Sequence, residues 1–447
     1  MLGYYTRLAF KSFRHTPGLT LLMTAAIALG IAISVVTITV DHVVAGNPIW
    51  WKNDRLYSVT MDDWPASMNA SSGIPRVDLG PTALTYIDAT RLFESTAPVR
   101  KVIMFALPGV LSGGLAQKTP LRSATRVTTA DFFGMFDVPF LYGGAWSAEA
   151  DRRPDPVLIL SREENDKLFG GVNSVGRTIR WNDHEFRVVG VLDDWFPQPK
   201  YFALDEDSTD SPPEDVYLPW GWGVTLELPA SSMACFTAEP MSTFKDMLGA
   251  ECVWIEMWVE LSNAANRQRM QGFMDNYWAD QHRAGRFPRP RNNRLTDVGQ
   301  WIKDRDFSAG DDPLLITVGF AAFAVCLVNV LGLILAKFLG RAPISGVRRA
   351  LGASQRQIIL QHLVEGGLLA GLGTVAGLVL AELSLWGIYH WMAFVRTGGG
   401  DYHAHMRFDV LSFAWAAGLA IAATFAAGLY PAWRLGRLPP AAYLKSL

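Results

Sequence analysis

Apolar residues are distributed very unevenly along the chain. Leu19 to Val40 is an uncharged apolar stretch, and three more gather towards the other end, Leu314 to Phe338, Gly366 to Trp391 and Val410 to Leu429. Each has about the length a helix needs to cross a hydrocarbon core of roughly 30 Å. The pattern predicts four transmembrane helices, one followed by three. Arg7, Lys11 and Arg14 precede the first stretch as in a secretory signal, but the stretch exceeds the roughly 7 to 15 apolar residues such signals carry, so an uncleaved anchor is expected.

Between the first and second stretches the pattern changes to shorter elements. Val157 to Leu160 and Phe186 to Val191 are rich in β-branched residues and bounded by turn formers, which predicts strands. Ser262 can cap a helix from about Ala264 to His282 whose apolar side carries Met270, Phe273, Met274 and Trp278. Residues 41–313 therefore read as a mixed α+β domain, and at about 270 residues two subdomains or one elaborated one are expected. Residues 1–40 form the N-terminal segment with the first helix. Residues 314–447 hold the other three, with a basic link at 341–356.

Charge orients this plan. Lys and Arg near helix ends are retained on the cytoplasmic side. The N-terminal segment carries the three cations named above; the link carries Lys337, Arg341, Arg348, Arg349 and Arg356; the tail carries Arg434, Arg437 and Lys445, all without an acid among them. Both termini are expected inside and residues 41–313 outside, where acids outnumber basic residues 38 to 27. Trp50, Trp51, Trp301, Trp391 and Trp433 flank the spans as interfacial aromatics do. With 50% hydrophobic residues, 18% charged and a net charge of −2, the chain is too apolar for a soluble protein, and it offers no basic face for nucleic acid.

Candidate chemistry is sparse. Gly113, Gly114, Lys118 and Thr119 are like a phosphate loop, but Gln117 stands where a Gly must precede the Lys. Ser354 lacks the second Gly of a nucleophile elbow, and no His-Glu-x-x-His occurs. Asp205 to Asp215 has the charge of a calcium loop without its alternating ligands or central Gly, and His390, His403 and His405 near Asp401 read as incidental to a loop. Arg283 to Arg294 reads as a solvated basic connector. No catalytic, cofactor-binding or metal residue is expected. An oxidising compartment would allow Cys235 and Cys252 either to pair or to remain thiols, and Cys326 lies within the second helix. Glu365 and Glu382 form a candidate intramembrane polar site, as ionisable groups in apolar spans are costly; Glu365 could reach Arg356 or water. Gly367, Gly371, Gly373 and Gly377, with Ala26, Gly30 and Ser34, are spaced for close helix packing.

One stretch of the basic link carries a resemblance. Gly346, Val347, Arg348, Arg349, Ala350, Leu351, Gly352 and Ala353, then Ser354, Arg356-Gln357-Ile358 and Glu365, closely resemble the cytoplasmic motif of the MacB/FtsX-like family of ABC transporter permeases. Gly428 to Arg434, Arg437-Leu438 and Pro440-Ala441 resemble its closing motif. Val127 to Gly134, Leu168 to Gly170, Val175 to Ile179, Phe186 to Val191 and Val216 to Pro219 resemble its periplasmic core domain, with about 222–252 as an extra insertion.

The resemblance implies an inner-membrane protein with four transmembrane helices and a periplasmic α+β domain. It implies that Gly346 to Ala353 is a coupling helix seated on a separate ATPase dimer, which binds ATP and Mg while this chain binds no cofactor. A second permease chain completes such a complex, as a homodimer or heterodimer. The family commonly has an acid just before Gly346, where this chain has Pro343-Ile344-Ser345, and that departure favours a heterodimer. A periplasmic adaptor and an outer-membrane channel are further implied partners. Export of a peptide, antibiotic or toxic compound by mechanotransmission is the implied function; the alternatives are lipoprotein extraction and non-transporting control of a cell-wall enzyme.

Overall fold

The computed structural model describes residues 2–68, 77–116, 119–197, 199–203, 213–236, 242–305, 313–340, 347–348, 351–397 and Gly418. The chain forms two compact units, Met1–Val43 together with Ala309–Leu447, and Val44–Ser308. It opens with helix α1 (Leu2–His15), and after Thr16 continues into α2 (Pro17–Ala45). The buried Tyr5, Ala9 and Ser12 of α1 recur at helical spacing, while Arg7, Lys11 and Arg14 on the other side are exposed.

The described residues of Val44–Ser308 form twelve strands: β1 (Leu56–Thr60), β2 (Leu84–Thr85), β3 (Arg100–Ser112), β4 (Leu121–Thr128), β5 (Phe140–Gly143), β6 (Val157–Leu160), β7 (Thr178–Trp181), β8 (His184–Leu192), β9 (Val216–Pro219), β10 (Ala234–Cys235), β11 (Cys252–Glu260) and β12 (Arg294–Asp297). The main path runs β12-β1-β11-β3-β4-β9-β6-β8-β5. Strand β3 joins the two sides of this path. The first part of β3, Arg100 to Met104, pairs with β11, and Met104 to Leu111 pairs with β4.

Alternate side chains of these strands enter two cores. Ile103, Phe105, Met257, Leu158 and Leu218 face one, covered by α3 (Tyr86–Phe93) and the later helix Ala264–Arg283. Val102, Met104, Trp258, Ile159 and Tyr217 face the other, covered by α4 (Asp131–Met135) with Phe132, Phe133 and Phe136. A sheet buried on both faces shows apolar runs rather than alternation, which is why β6 and β9 are uniformly buried.

Helix α5 (Ala264–Arg283) takes its cap from Asn263, whose side chain accepts from Asn266 N, and not from the expected Ser262. Met270 and Met274 are fully buried, as is most of Tyr277, with Phe273 and Trp278 partly buried beside them. Arg283 to Arg294 is not a solvated connector throughout. Arg286 pairs with Asp88 at 2.9 Å and Glu251 at 2.5 Å, and Arg289 with Asp62 at 3.1 Å, so the chain's own acids absorb these cations. The segment around 222–252 includes helices Trp220–Thr225 and Phe244–Gly249 and strand β10. Cys235 lies opposite Cys252 on β11, and the two sulfurs are joined.

After α6 (Val298–Arg305), the other unit resumes with α7 (Pro313–Leu339) and α8 (Gln355–Thr397). Pro17–Thr39, Thr317–Lys337 and Gln355–Ile388 are long and apolar enough to cross a membrane. The chain is thus an integral membrane α-helical protein with a large α+β domain; the fourth predicted span, Val410 to Leu429, lies outside the described residues but for Gly418. Small residues let α2 approach both neighbours. A methyl group on Gly30 would lie 2.9 Å from Cys326 Cβ of α7, one on Gly373 would lie 2.5 Å from Ile27, and one on Gly377 would lie 2.8 Å from the Ala28 carbonyl. Gly371 meets nothing within 4 Å, because at 100° per residue it points away from the face of Gly373 and Gly377. Gly367 is half-buried.

Candidate functional site

The described residues of the candidate coupling segment, Val347, Arg348 and Leu351 to Ala353, lie in the chain between two long helices and are joined by hydrogen bonds of helical type. Leu351 N donates to Val347 O at 3.1 Å and Ala353 N to Arg348 O at 3.0 Å. Gly352, at φ +98°, then ends the turn in a conformation that only Gly adopts without strain. Ser354 restarts the helix. Its Oγ accepts from Gln357 N while its own N–H donates to Gln357 Oε1 at 2.9 Å, a reciprocal cap. The hydroxyl that resembled a nucleophile is therefore a capping group. Gly346, Arg349 and Ala350 lie outside the described residues, as do the closing motif and the histidines at 403 and 405.

Val347 and Leu351, four residues apart, are 44% and 83% exposed. Two apolar side chains on one turn form a small knob of the kind that fits a groove on another protein. Arg348 is half-buried beside it, and its Nη1 donates to Gln361 Oε1 of α8 at 2.8 Å.

One turn beyond Gln361, Glu365 is almost fully buried. Ser12 of α1 donates to its Oε1, and Lys337 Nζ of α7 lies 2.9 Å from the same oxygen. Lys337 also sits 4.8 Å above the ring of Phe13. The sequence suggested Arg356 or water as the partner. Nine residues of helix place Arg356 and Glu365 on opposite faces, and Arg356 is exposed. Lys337 was legible only as one of the basic residues of the link. Glu382 is exposed on α8, nearly five helical turns beyond Glu365.

In the other unit, charge is buried as a balanced network. Arg126 pairs with Glu214 and, at 3.5 Å, with Glu256; Lys200 reaches Glu214 at 2.7 Å. Burial alone would raise the Glu214 carboxyl, yet Arg126 and Lys200 hold it down at about 2. Asp63, Asp88 and Glu251 are the one group of acids among the described residues close enough to share a cation, their ligand oxygens lying within 4.8 Å of each other. Arg286 already forks across Asp88 and Glu251, and Tyr277 and Thr85 fill the remaining positions of Asp88. Burial, with the neighbouring acids Asp88 and Glu251, pushes Asp63 well above the usual carboxylate range. Gly113 belongs to the turn between β3 and β4 at φ +95°, which accounts for the glycines of the phosphate-loop look-alike.

Residues 20–272 match the family described as MacB-like periplasmic core domain, and residues 316–440 match FtsX-like permease C-terminal. The macrolide export ATP-binding/permease protein MacB of Syntrophobacter fumaroxidans is 22% identical over 350 residues, covering 71% of this chain and 46% of that protein. An uncharacterized ABC transporter permease protein of Mycobacterium tuberculosis is 32% identical over 144 residues, covering 32% of this chain and 16% of that one. The periplasmic region of MacB from Actinobacillus actinomycetemcomitans is similar at a TM-score of 0.35 and 12% identity, covering 59% of this chain and 95% of that one. The chain spans about half the length, or less, of the curated relatives it matches. Matched over most of its length by these two domain families, the chain belongs to the MacB/FtsX-like family of ABC transporter permeases.

Proposed function

We propose that this chain is the membrane subunit of an ABC complex in which a separate cytoplasmic ATPase dimer binds ATP and Mg and drives movement of the outer domain. The observation that carries this reading is the turn at Val347 to Ala353. It offers exposed Val347 and Leu351 to a partner and is tied back to α8 through Arg348 and Gln361. Gly352 and the capped helix start at Ser354 join the turn directly to α8, so a displacement of the turn would move the start of α8 with it. The cations of the N-terminal segment, the link and the tail support an orientation in which these ends face the cytoplasm from a bacterial inner membrane, with the α+β domain in the periplasm. Work on a substrate outside the membrane, by mechanotransmission, fits a chain whose described helices pack closely through Gly30, Gly373 and Gly377. The substrate class we favour is an exported peptide, antibiotic or toxic compound, with a second permease chain, an adaptor and an outer-membrane channel as further partners.

The test is co-purification of the tagged chain in detergent, with mass spectrometry and an ATPase assay on what accompanies it. Wild type should retain an ATPase subunit, and Arg348→Glu/Arg349→Glu should lose it, at least about tenfold, which is about 1.4 kcal/mol of contact free energy. A well-folded wild type that retains no ATPase would sink the reading.

A further inference from the structure

The coupling segment lies between Lys337, near the end of α7, and Glu365, in the third turn of α8. These two side chains are 1% and 2% exposed and 2.9 Å apart. Residues 338–364, which include the coupling segment, are thus flanked by the two members of an ion pair withdrawn from water. Such a pair holds because separating it would strand two charges in a low-dielectric interior. Ser12 adds α1 to the same carboxylate. At the other end, Arg348 reaches Gln361, four residues and so one turn before Glu365 on the same side of α8.

Resting on the reading above, we propose that Glu365 is a positioning residue that joins the coupling segment, α7 and α1 into one moving body. Displacement of Arg348 bears on Gln361 and hence on the first turns of α8. Glu365 then carries Lys337 and Ser12 with it, so that α7 and α1 follow rather than slide. An apolar contact at this place would slide at small cost, since lipid tails solvate apolar side chains as well as another helix does. A buried ion pair with an added hydroxyl has one geometry and resists sliding.

The experiment is hydrogen exchange on the full chain in lipid nanodiscs, comparing wild type with Glu365→Gln, Lys337→Met, Ser12→Ala and the exchanged pair Lys337→Glu/Glu365→Lys. Glu365→Gln and Lys337→Met should speed exchange in residues 2–15 and 351–358 together by about tenfold or more, while residues 371–385 of α8 keep their wild-type rate. Ser12→Ala should release residues 2–15 alone, and the exchanged pair should return residues 351–358 towards wild type. Unchanged exchange of residues 2–15 in Glu365→Gln, or loosening spread evenly through α8, would overturn the proposal, the second because it marks a purely stabilising role.

A second arm addresses coupling. With the co-purified ATPase present, N-ethylmaleimide labelling of Cys326, where α7 meets Gly30, should change by about threefold on adding ATP and vanadate. Glu365→Gln should abolish that change while retaining the ATPase; persistence of the change would overturn the proposal. Loss of the ATPase from wild type would defeat the proposed function instead, and the exchange rates would still decide whether Glu365 joins the three elements.

Discussion

At the scale of single residues, Gly377 and Gly371 look alike in the sequence and differ in what surrounds them. A methyl group on Gly377 would lie 2.8 Å from the Ala28 carbonyl and from Ile31 Cβ, atoms of a backbone and a branched stem that cannot swing aside. On Gly371 it would meet open space. Gly377→Ala should therefore lower the detergent melting temperature of the chain, at a cost of about 1 to 3 kcal/mol for overpacking. Gly371→Ala should leave it unchanged or raise it, since Ala is favoured over Gly in a helix by up to about 1 kcal/mol. Equal losses in the two variants would refute the packing described for α2 and α8. The four-residue spacing showed in the sequence that some glycines pack; which of them do depends on helix phase relative to a neighbour, and that is set by tertiary structure.

At the scale of elements, the most informative pair is β10 and β11. Strand β10 is only two residues long and exposed, too short to hold by ladder bonds, and Cys235 faces Cys252 in register. The cross-link closes a separation of 17 residues, for which chain entropy predicts a contribution of about 3 kcal/mol. Cys235→Ser/Cys252→Ser, or reductant, should lower the melting temperature of the outer domain by several degrees. A non-reducing and a reducing melt that superimpose would show that the cross-link stabilises nothing. The elements themselves were unequally legible. β6 falls on Val157 to Leu160 as its β-branched run predicts, and α5 on the amphipathic stretch after residue 263. The three apolar helices that are described were plain from hydropathy. α1 was not read, because its short polar face was taken with the charges that orient the chain. Nor was the pairing of Glu365 with Lys337, since the sequence gives no distance between helices that are joined by a link. The Gly stop and Ser cap of the turn at 347–353 are local signals that single-sequence rules can find.

At the scale of the whole molecule, buried acids make the stability of the outer unit depend on pH. Burial raises Glu164 to about 7, with Asp215 adding to the effect; burial raises Asp215 to about 6 against the Ala124 N–H, and Asp151 to about 6 against the Ala130 N–H and Trp146. The folded chain holds these protons at pH values where the unfolded chain, with ordinary carboxyls near 4, has released them. Their contribution to stability is therefore fully present below the unfolded values and is lost as pH rises through about 6 to 7. Glu214 acts in the opposite sense. Held at about 2, it stabilises the fold above its unfolded value, and that contribution is lost as pH falls towards 2. Stability should thus rise from pH 8 to about pH 5, with a melting temperature higher by about 5 °C, and fall again below about pH 4. Tryptophan fluorescence reports this unit selectively, because 12 of the 16 tryptophans lie within Val44–Ser308. Glu164→Gln, which fixes the neutral state, should flatten much of the rise between pH 5 and pH 8 without moving the acid limb. A melting temperature that instead falls steadily from pH 8 to pH 5 would mean that these carboxylates are ionised in the folded chain, and that their burial is relieved by water or by a neighbour not seen among the described residues.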